Sequence, residues 1–514
     1  MDPFDEFGLF WTPERPDLQR SGRLRFDHGS LGLRLSVMNA FEDEMEFYVK
    51  SQSHPGYEVV LGQLESGDLV TLTHAQITES KLRLGGGGNA RIELIPRFLF
   101  RGVHLEAGES TEFSSLELRF EHLDAWAIQD RMPIRALAEN EMQVSTAAPA
   151  SPIGNAFGGV VSIDYFRREQ TGTTRVAFER GSIVRFEPID PVDMPKLLST
   201  FCTPMQHLLT FAVGVPTHVT SIEVTRADIG TQYGEHWIPK SIKVAYQGWP
   251  APTDSRSPVQ MRFTLGDIGT RFEEILRNWE GFHQKHERSM VLLFALSLGL
   301  DLYLDSKFLF AVQALELFHR KEWPDGVLPE DEQKARVKSL TDLVDDDELR
   351  KWLTGKLAFS NEFTLKERLE QIIGYAGSEI RPALREKFSK VAKDTRNYLT
   401  HYNESLKSKA AHDEDMWVLA NECASLLEFC MLRALGFDGP TTFQMSSQTP
   451  RFQDLLHRRG LLQSPMQVTV TPGVAAIAAA IDDGVPDADL GAVIAAAESA
   501  RADTQGTGAP GSQG

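Results

Sequence analysis

Near residue 266 the apolar pattern of the chain changes period from two to 3.6, and this change constrains the fold more than any other feature. Before it, apolar residues alternate or cluster in short runs between turn residues, as in GRLRFDH, GDLVTLTHAQI, ARIELIPRFLF and SSLELRFEHLDAWAI, which is strand patterning. The interruption at 194–213, where Leu197, Leu198, Phe201, Met205, Leu208 and Leu209 recur at helical spacing, predicts one helix inside a β-rich half. A small-residue, polar stretch at 145–159 divides that half, giving a β-rich subdomain over 1–140 and a second, with the helix, over 150–266. After the switch, helices are expected at 268–286, 289–300, 306–323, 332–356, 364–374, 381–409 and 413–435. The expected class is therefore α+β and multidomain: a sandwich- or barrel-like N-terminal half, an all-α bundle over 267–440, and an Ala/Gly/Asp-rich, largely disordered tail over 441–514.

Charge and cysteine content narrow the function classes. The 514 residues carry 53 basic and 72 acidic side chains, a formal charge of −19, so the surface as a whole repels nucleic acid and acidic membranes. A polyanion must therefore bind at a local basic patch. Three cysteines cannot build a disulfide framework, and Cys423 and Cys430 share an apolar helical stripe as small core residues. The opening MDPFDEFGLFWTPERPD lacks the basic start and apolar stretch of a signal peptide, so a cytoplasmic location is expected. The longest apolar run, 290–300, is far short of the ~20 residues of a spanning helix.

Familiar hydrolase patterns are missing: there is no His-Glu-x-x-His and no Gly-x-Ser-x-Gly. The glycine run 85–88 lacks the Lys-Ser/Thr ending of a phosphate-binding loop and reads as a hairpin loop. His283 and His286 stand one turn apart without a third ligand in sight, and read as solvated histidines. The acidic run 345–348 reads as a solvated helix start, because consecutive helical residues cannot all face one ion. No metal and no cofactor is expected.

One segment stands out. Between 381 and 410 there are eight basic and three acidic residues, a local excess of positive charge in a strongly acidic chain. Within it, KVAKDTRNYLTHYNESLKSK sets Arg396 five positions before His401, about 140° around an ideal helix, while Asn397 and His401 share a face. Asn397 is thus placed to orient the His401 imidazole, and the long Arg396 side chain can reach the same pocket if the helix kinks or a second subunit lies alongside. A solvated basic helix face is the other reading of the same charges. On the mostly apolar helix DSKFLFAVQALELFHRKEW, Gln313, Glu316 and Arg320 form a polar stripe. Glu316 either meets Arg396 or His401 from a neighbouring helix or bridges to Arg320 four positions on.

The segment R-N-Y-L-T-H resembles the Arg–x4-to-x6–His motif of HEPN ribonuclease domains, and the FLFAVQALELFHR helix resembles that of their ApeA-like branch. The opening FWTPERPDLQRSGRLRFD, the VTLTHAQ strand and FRGVHL…FSSLELRFEHLDAW resemble the ApeA N-terminal domain. The resemblance runs from about residue 8 to 436 and implies an anti-phage abortive-infection protein, a metal-independent endoribonuclease whose site forms across a HEPN dimer or higher homo-oligomer. It implies Arg396, Asn397 and His401 as catalytic residues, Glu316 in support, RNA as substrate, and a β-rich half that senses a phage-derived trigger or restrains the nuclease.

This chemistry suits the residue types. RNA carries its own nucleophile, the 2′-OH, so the enzyme need only move protons and stabilise phosphate charge. An imidazole, with an ordinary pKa of about 6.5, can do the first and a permanently charged guanidinium the second. The reading from another class is a catalytically inactive HEPN scaffold that dimerises or binds RNA, attached to a β-rich ligand-binding domain.

Overall fold

The computed structural model describes residues 1–29, 32–42, 47, 56–81, 91–105, 111–128, 132, 134–138, 141–145, 149–248, 261–297 and 302–461. The glycine run 85–88, and the part of the expected tail from 462 to 514, lie outside the described residues.

Alternation in the first strands resolves into a closed ring. The strands are β1 (Phe4–Trp11), β2 (Arg20–Phe26), β3 (Leu33–Met38), β4 (Gly56–Leu64), β5 (Leu69–Lys81) and β6 (Arg91–Ile95). Antiparallel pairings run β1 to β2, β2 to β3, β3 to β6, β6 to β5, β5 to β4 and β4 back to β1, a six-stranded barrel. Leu24 faces Leu35, Leu35 faces Leu94 and Val37 faces Ile92, all fully buried, while the intervening Arg25 and Arg34 are exposed. A slip of one residue would exchange those faces, so the alternation sets the register.

The same sheet continues beyond the barrel through the long strand β5. β5 turns at His74, whose φ is 51°, and its first half pairs not with β6 but with β7 (Phe98–Arg101). Further strands are β8 (Ser115–Phe120), β9 (Ile153–Ala156), β10 (Gly159–Thr171), β11 (Val176–Pro188), β12 (Val219–Thr225) and β13 (Ile242–Tyr246). They continue from β7 in the order β13, β12, β8, β11, β10, β9, so β8 lies between strands of the later β-rich block. The predicted helix is present as α1 (Thr203–Val213), entered through a π-helical turn at Leu198–Cys202. Phe201 in that turn stacks on Phe186 of β11, with centroids 4.2 Å apart.

The period switch marks the start of the helices, as expected: α2 (Phe272–Lys285), α3 (Glu287–Ser297), α4 (Leu304–Glu322), α5 (Glu330–Thr341), α6 (Asp347–Leu357), α7 (Leu365–Ala376), α8 (Phe388–His401), α9 (Asp413–Ala434) and α10 (Gly439–Ser447). α9 is the central rod, with Leu419, Cys423, Leu426, Leu427, Cys430 and Met431 all fully buried. It ends at Gly436, whose φ of 91° lets the Phe437 amide reach back to the Leu432 carbonyl at 3.2 Å. Residues up to Phe452 pack as one compact unit; a second begins at Gln453, within the helix Pro450–Arg458. No helix among the described residues is long and apolar enough to cross a membrane.

Four expectations are corrected. The single helix at 332–356 is two, because Asp346 caps the second by accepting the Leu349 amide at 2.7 Å. The helix at 381–409 is three pieces: Pro382 confines the first to a 3-10 segment (Ser378–Ala383), and positive φ at Lys387 and Tyr402 bounds α8 on both sides. Helical structure continues past 440 through α10 and Pro450–Arg458, with Phe443 and Phe452 packed at 5.7 Å.

His283 and His286 are buried, not solvated. His283 Nε2 lies 3.0 Å from His207 Nδ1 on α1, and His286 Nε2 lies 2.7 Å from Glu322 Oε1. Burial lowers the pKa of both His283 and His286, the second despite its carboxylate partner. Burial, with His283 adding repulsion, pushes His207 down to about 3. The folded state thus resists a proton that the unfolded chain accepts below about pH 6.5. This contribution to stability is complete above pH 6.5 and is lost as pH falls toward 3. Urea midpoints followed from pH 7 to 4 should fall by the equivalent of about 1.4 kcal/mol per unit below pH 6 for this one group, and His207→Gln should flatten the profile. Parallel profiles for the two proteins would refute it.

Candidate active site

The basic segment reaches the surface on α8. Phe388, Ala392 and Thr395 bury one face of that helix, and the Thr395 hydroxyl accepts the Ala411 amide at 2.9 Å, tying α8 to the chain that follows it. This leaves Arg396, Asn397 and Tyr398 half-buried and His401, the last helical residue, exposed.

α4 runs alongside with Ala311, Val312, Ala314, Leu315 and Phe318 buried. Gln313 and Arg320 are exposed, so the polar stripe forms an edge of this helix and not a buried seam. Glu316 occupies the middle of that edge. Its Oε1 accepts from Arg396 Nη2 at 2.9 Å, with side-chain exposures of 16% and 25%. Of the partners left open for Glu316, the fold selects Arg396; Arg320 turns instead to Glu362 at 2.8 Å. The Arg396 Nε–H is buried and has no acceptor among the described residues. An arginine side chain held by one carboxylate and still a quarter exposed is suited to a second anion.

The remaining two site residues are not joined to this pair. Among the described residues neither Asn397 nor His401 has a side-chain hydrogen bond, to each other or to Arg396. The helix carries the guanidinium toward α4 and the imidazole outward to solvent, as a separation of about 140° requires.

A neighbouring polar network carries no signature in the motif. Arg368 on α7 is buried; its Nη1 donates to His319 Nδ1 at 3.0 Å, its Nη2 lies 3.3 Å from Glu362, and its Nε donates to the Phe363 carbonyl at 3.0 Å. Because arginine only donates, His319 Nδ1 accepts, and its Nε2–H is the donor to Gln371 Oε1 at 2.6 Å. Arg320, Trp323, Asn361, Glu362 and Arg368 line an open cleft of about 320 Å³ here. The available signal was an arginine between Leu365 and Leu369 on the apolar face of α7, a position where charge is rare unless paired. Among the described residues no group of three or more His, Cys, Asp or Glu side chains is arranged to hold a metal ion.

Two family models match the chain. The one described as ApeA N-terminal domain 1 covers residues 6–279, just over half of the sequence, and the one described as Apea-like HEPN covers 309–440. Glu316, Arg396, Asn397 and His401 all fall within the second match. No curated protein and no solved structure matches the chain.

Proposed function

Since the chain belongs to the ApeA family, joining an ApeA N-terminal domain to an Apea-like HEPN domain, we propose that it is an anti-phage HEPN endoribonuclease that cuts RNA without a metal. The family supports a HEPN nuclease-type anti-phage role. The observation that supports the finer reading is the Glu316–Arg396 pair, which fixes a permanent positive charge on the same short helix as an exposed imidazole that has no partner among the described residues.

In this mechanism the 2′-OH of RNA attacks the adjacent phosphorus as its proton passes to a base. The P–O5′ bond breaks as the leaving oxygen gains a proton, and the products are a 2′,3′-cyclic phosphate and a 5′-OH. His401 moves protons, Arg396 holds the phosphate oxygens as charge develops, Asn397 orients the phosphate or the imidazole, and Glu316 positions Arg396. As Arg396 and His401 diverge around one helix, a second copy of α8 alongside supplies the complementary group, making the working unit a dimer. The β-rich half restrains or triggers the nuclease in response to a phage product.

The test is to incubate the full-length protein with total RNA in EDTA and map the product ends. Cleavage leaving cyclic phosphates, absent from Arg396→Ala, is the expected result. Intact RNA under every activating condition, together with undiminished phage protection by Arg396→Ala, would sink the proposal and favour an inactive scaffold.

A further inference from the structure

The chain takes an uncommon path beyond His401. Tyr402 adopts φ of 51°, the left-handed region that residues bearing a Cβ seldom enter, while its amide still closes the helix on the Tyr398 carbonyl at 2.9 Å. Tyr402 is 76% exposed. One face rests on Tyr398, with centroids 6.1 Å apart and planes 23° from parallel. Tyr398 is braced edge-on by His412 at 5.6 Å, and His412 Nε2 is held by the Lys407 carbonyl at 2.8 Å. Among the described residues Tyr398 is the only ring that Tyr402 touches. The following 3-10 turn, Glu404–Lys409, carries Lys407 and Lys409, and the Lys407 ammonium, 62% exposed, comes no nearer than 3.8 Å to Glu404.

A large ring presented to water on an unfavourable backbone adds nothing evident to folding. It follows directly on the exposed His401 and precedes a turn that carries two exposed lysines, so it offers a flat π face within a basic, exposed segment of the chain. We propose that Tyr402, backed by Tyr398, is a stacking platform for an unpaired nucleobase of bound RNA beside the scissile phosphate. The bases of a duplex are stacked on one another and cannot lie on a protein ring, whereas a single strand can splay one out. The position of the scissile phosphate rests on the nuclease reading; the stacking itself does not and can be measured without cleavage.

The probe is a short fluorescent oligoribonucleotide, single-stranded or annealed to its complement, titrated into full-length His401→Ala protein. Adding Tyr402→Gly should weaken single-strand binding roughly tenfold and leave duplex binding unchanged, while Tyr402→Trp should retain it. Glycine suits the positive φ, so the thermal midpoint should hold or rise, separating loss of the ring from loss of the fold. Equal affinity with and without the ring, or equal losses for both RNA forms, overturns the platform. So does a change of oligomeric state in Tyr402→Gly, which would mean that the ring packs against a second copy. If the parent protein cuts no RNA but Tyr402→Gly still loses single-strand binding, the platform stands and the nuclease reading fails. If cleavage occurs and Tyr402→Gly alters neither binding nor kcat/KM, only the platform fails.

Discussion

Replacing His401 with alanine is expected to reduce RNA cleavage by about 10²–10⁴-fold, the range for losing one general acid or base. The same variant should fail to protect cells from phage. Its folding stability should stay within about 0.5 kcal/mol of the parent, because the imidazole is exposed and bonds to nothing among the described residues. A side chain with no partner among the described residues but a large effect on rate acts on substrate. Glu316→Ala probes the same site through its neighbour. It removes the carboxylate that holds Arg396 at 2.9 Å, so activity should fall by less than in His401→Ala, with guanidinium placement and not proton transfer impaired. Single-turnover rates for both variants against the parent decide the matter; parent-like cleavage by His401→Ala would remove the imidazole from the mechanism.

The largest effect on stability is expected from Glu428→Ala. Glu428 lies on α9 and accepts from Arg262 Nη2 at 2.9 Å and from Arg451 Nη1 at 3.0 Å. Arg262 is 3% exposed; its guanidinium lies 4.2 Å from the centre of the Phe211 ring, and its Nη1 donates to the Phe211 carbonyl at the end of α1. Removing the carboxylate strands a charge with no route to water, and breaking one side of such a pair costs about 3–5 kcal/mol. Because Arg262 links α1 to α9, the loss should appear as a lower unfolding midpoint read both by tryptophan fluorescence and by helical circular dichroism. Replacing both charges, as Arg262→Met with Glu428→Leu, should restore much of the loss, since an apolar pair avoids the desolvation cost. A Glu428→Ala protein as stable as the parent would show that water reaches Arg262.

Local chemistry explains which expectations the fold keeps. Alternation in GRLRFDH and ARIELIPRFLF foretold strands, and Leu24, Phe26, Ile92 and Leu94 of those runs are buried on them. It could not foretell that β3 pairs with β6, because alternation is the same for every partner and ring closure depends on the bend at His74. Helical spacing placed α8 and α9, yet it merged α8 with both neighbours, since periodicity does not register left-handed residues such as Lys387 and Tyr402. His283 and His286 looked solvated because polar neighbours surround them along the chain, while their burial comes from elements far away in sequence: α1 for His283 and Glu322 at the end of α4 for His286.

For the candidate site the division is similar. The element types, the point where strands give way to helices, and a basic stretch holding Arg396, Asn397 and His401 follow from residue order and side-chain chemistry alone. That Glu316 meets Arg396 across 80 residues while Arg320 turns to Glu362, and that His401 is left facing solvent, comes from the packing of the helices in three dimensions. The reason is geometric: a period of 3.6 says which face of a helix is apolar, but the crossing of two helices sets which charges lie within hydrogen-bonding distance.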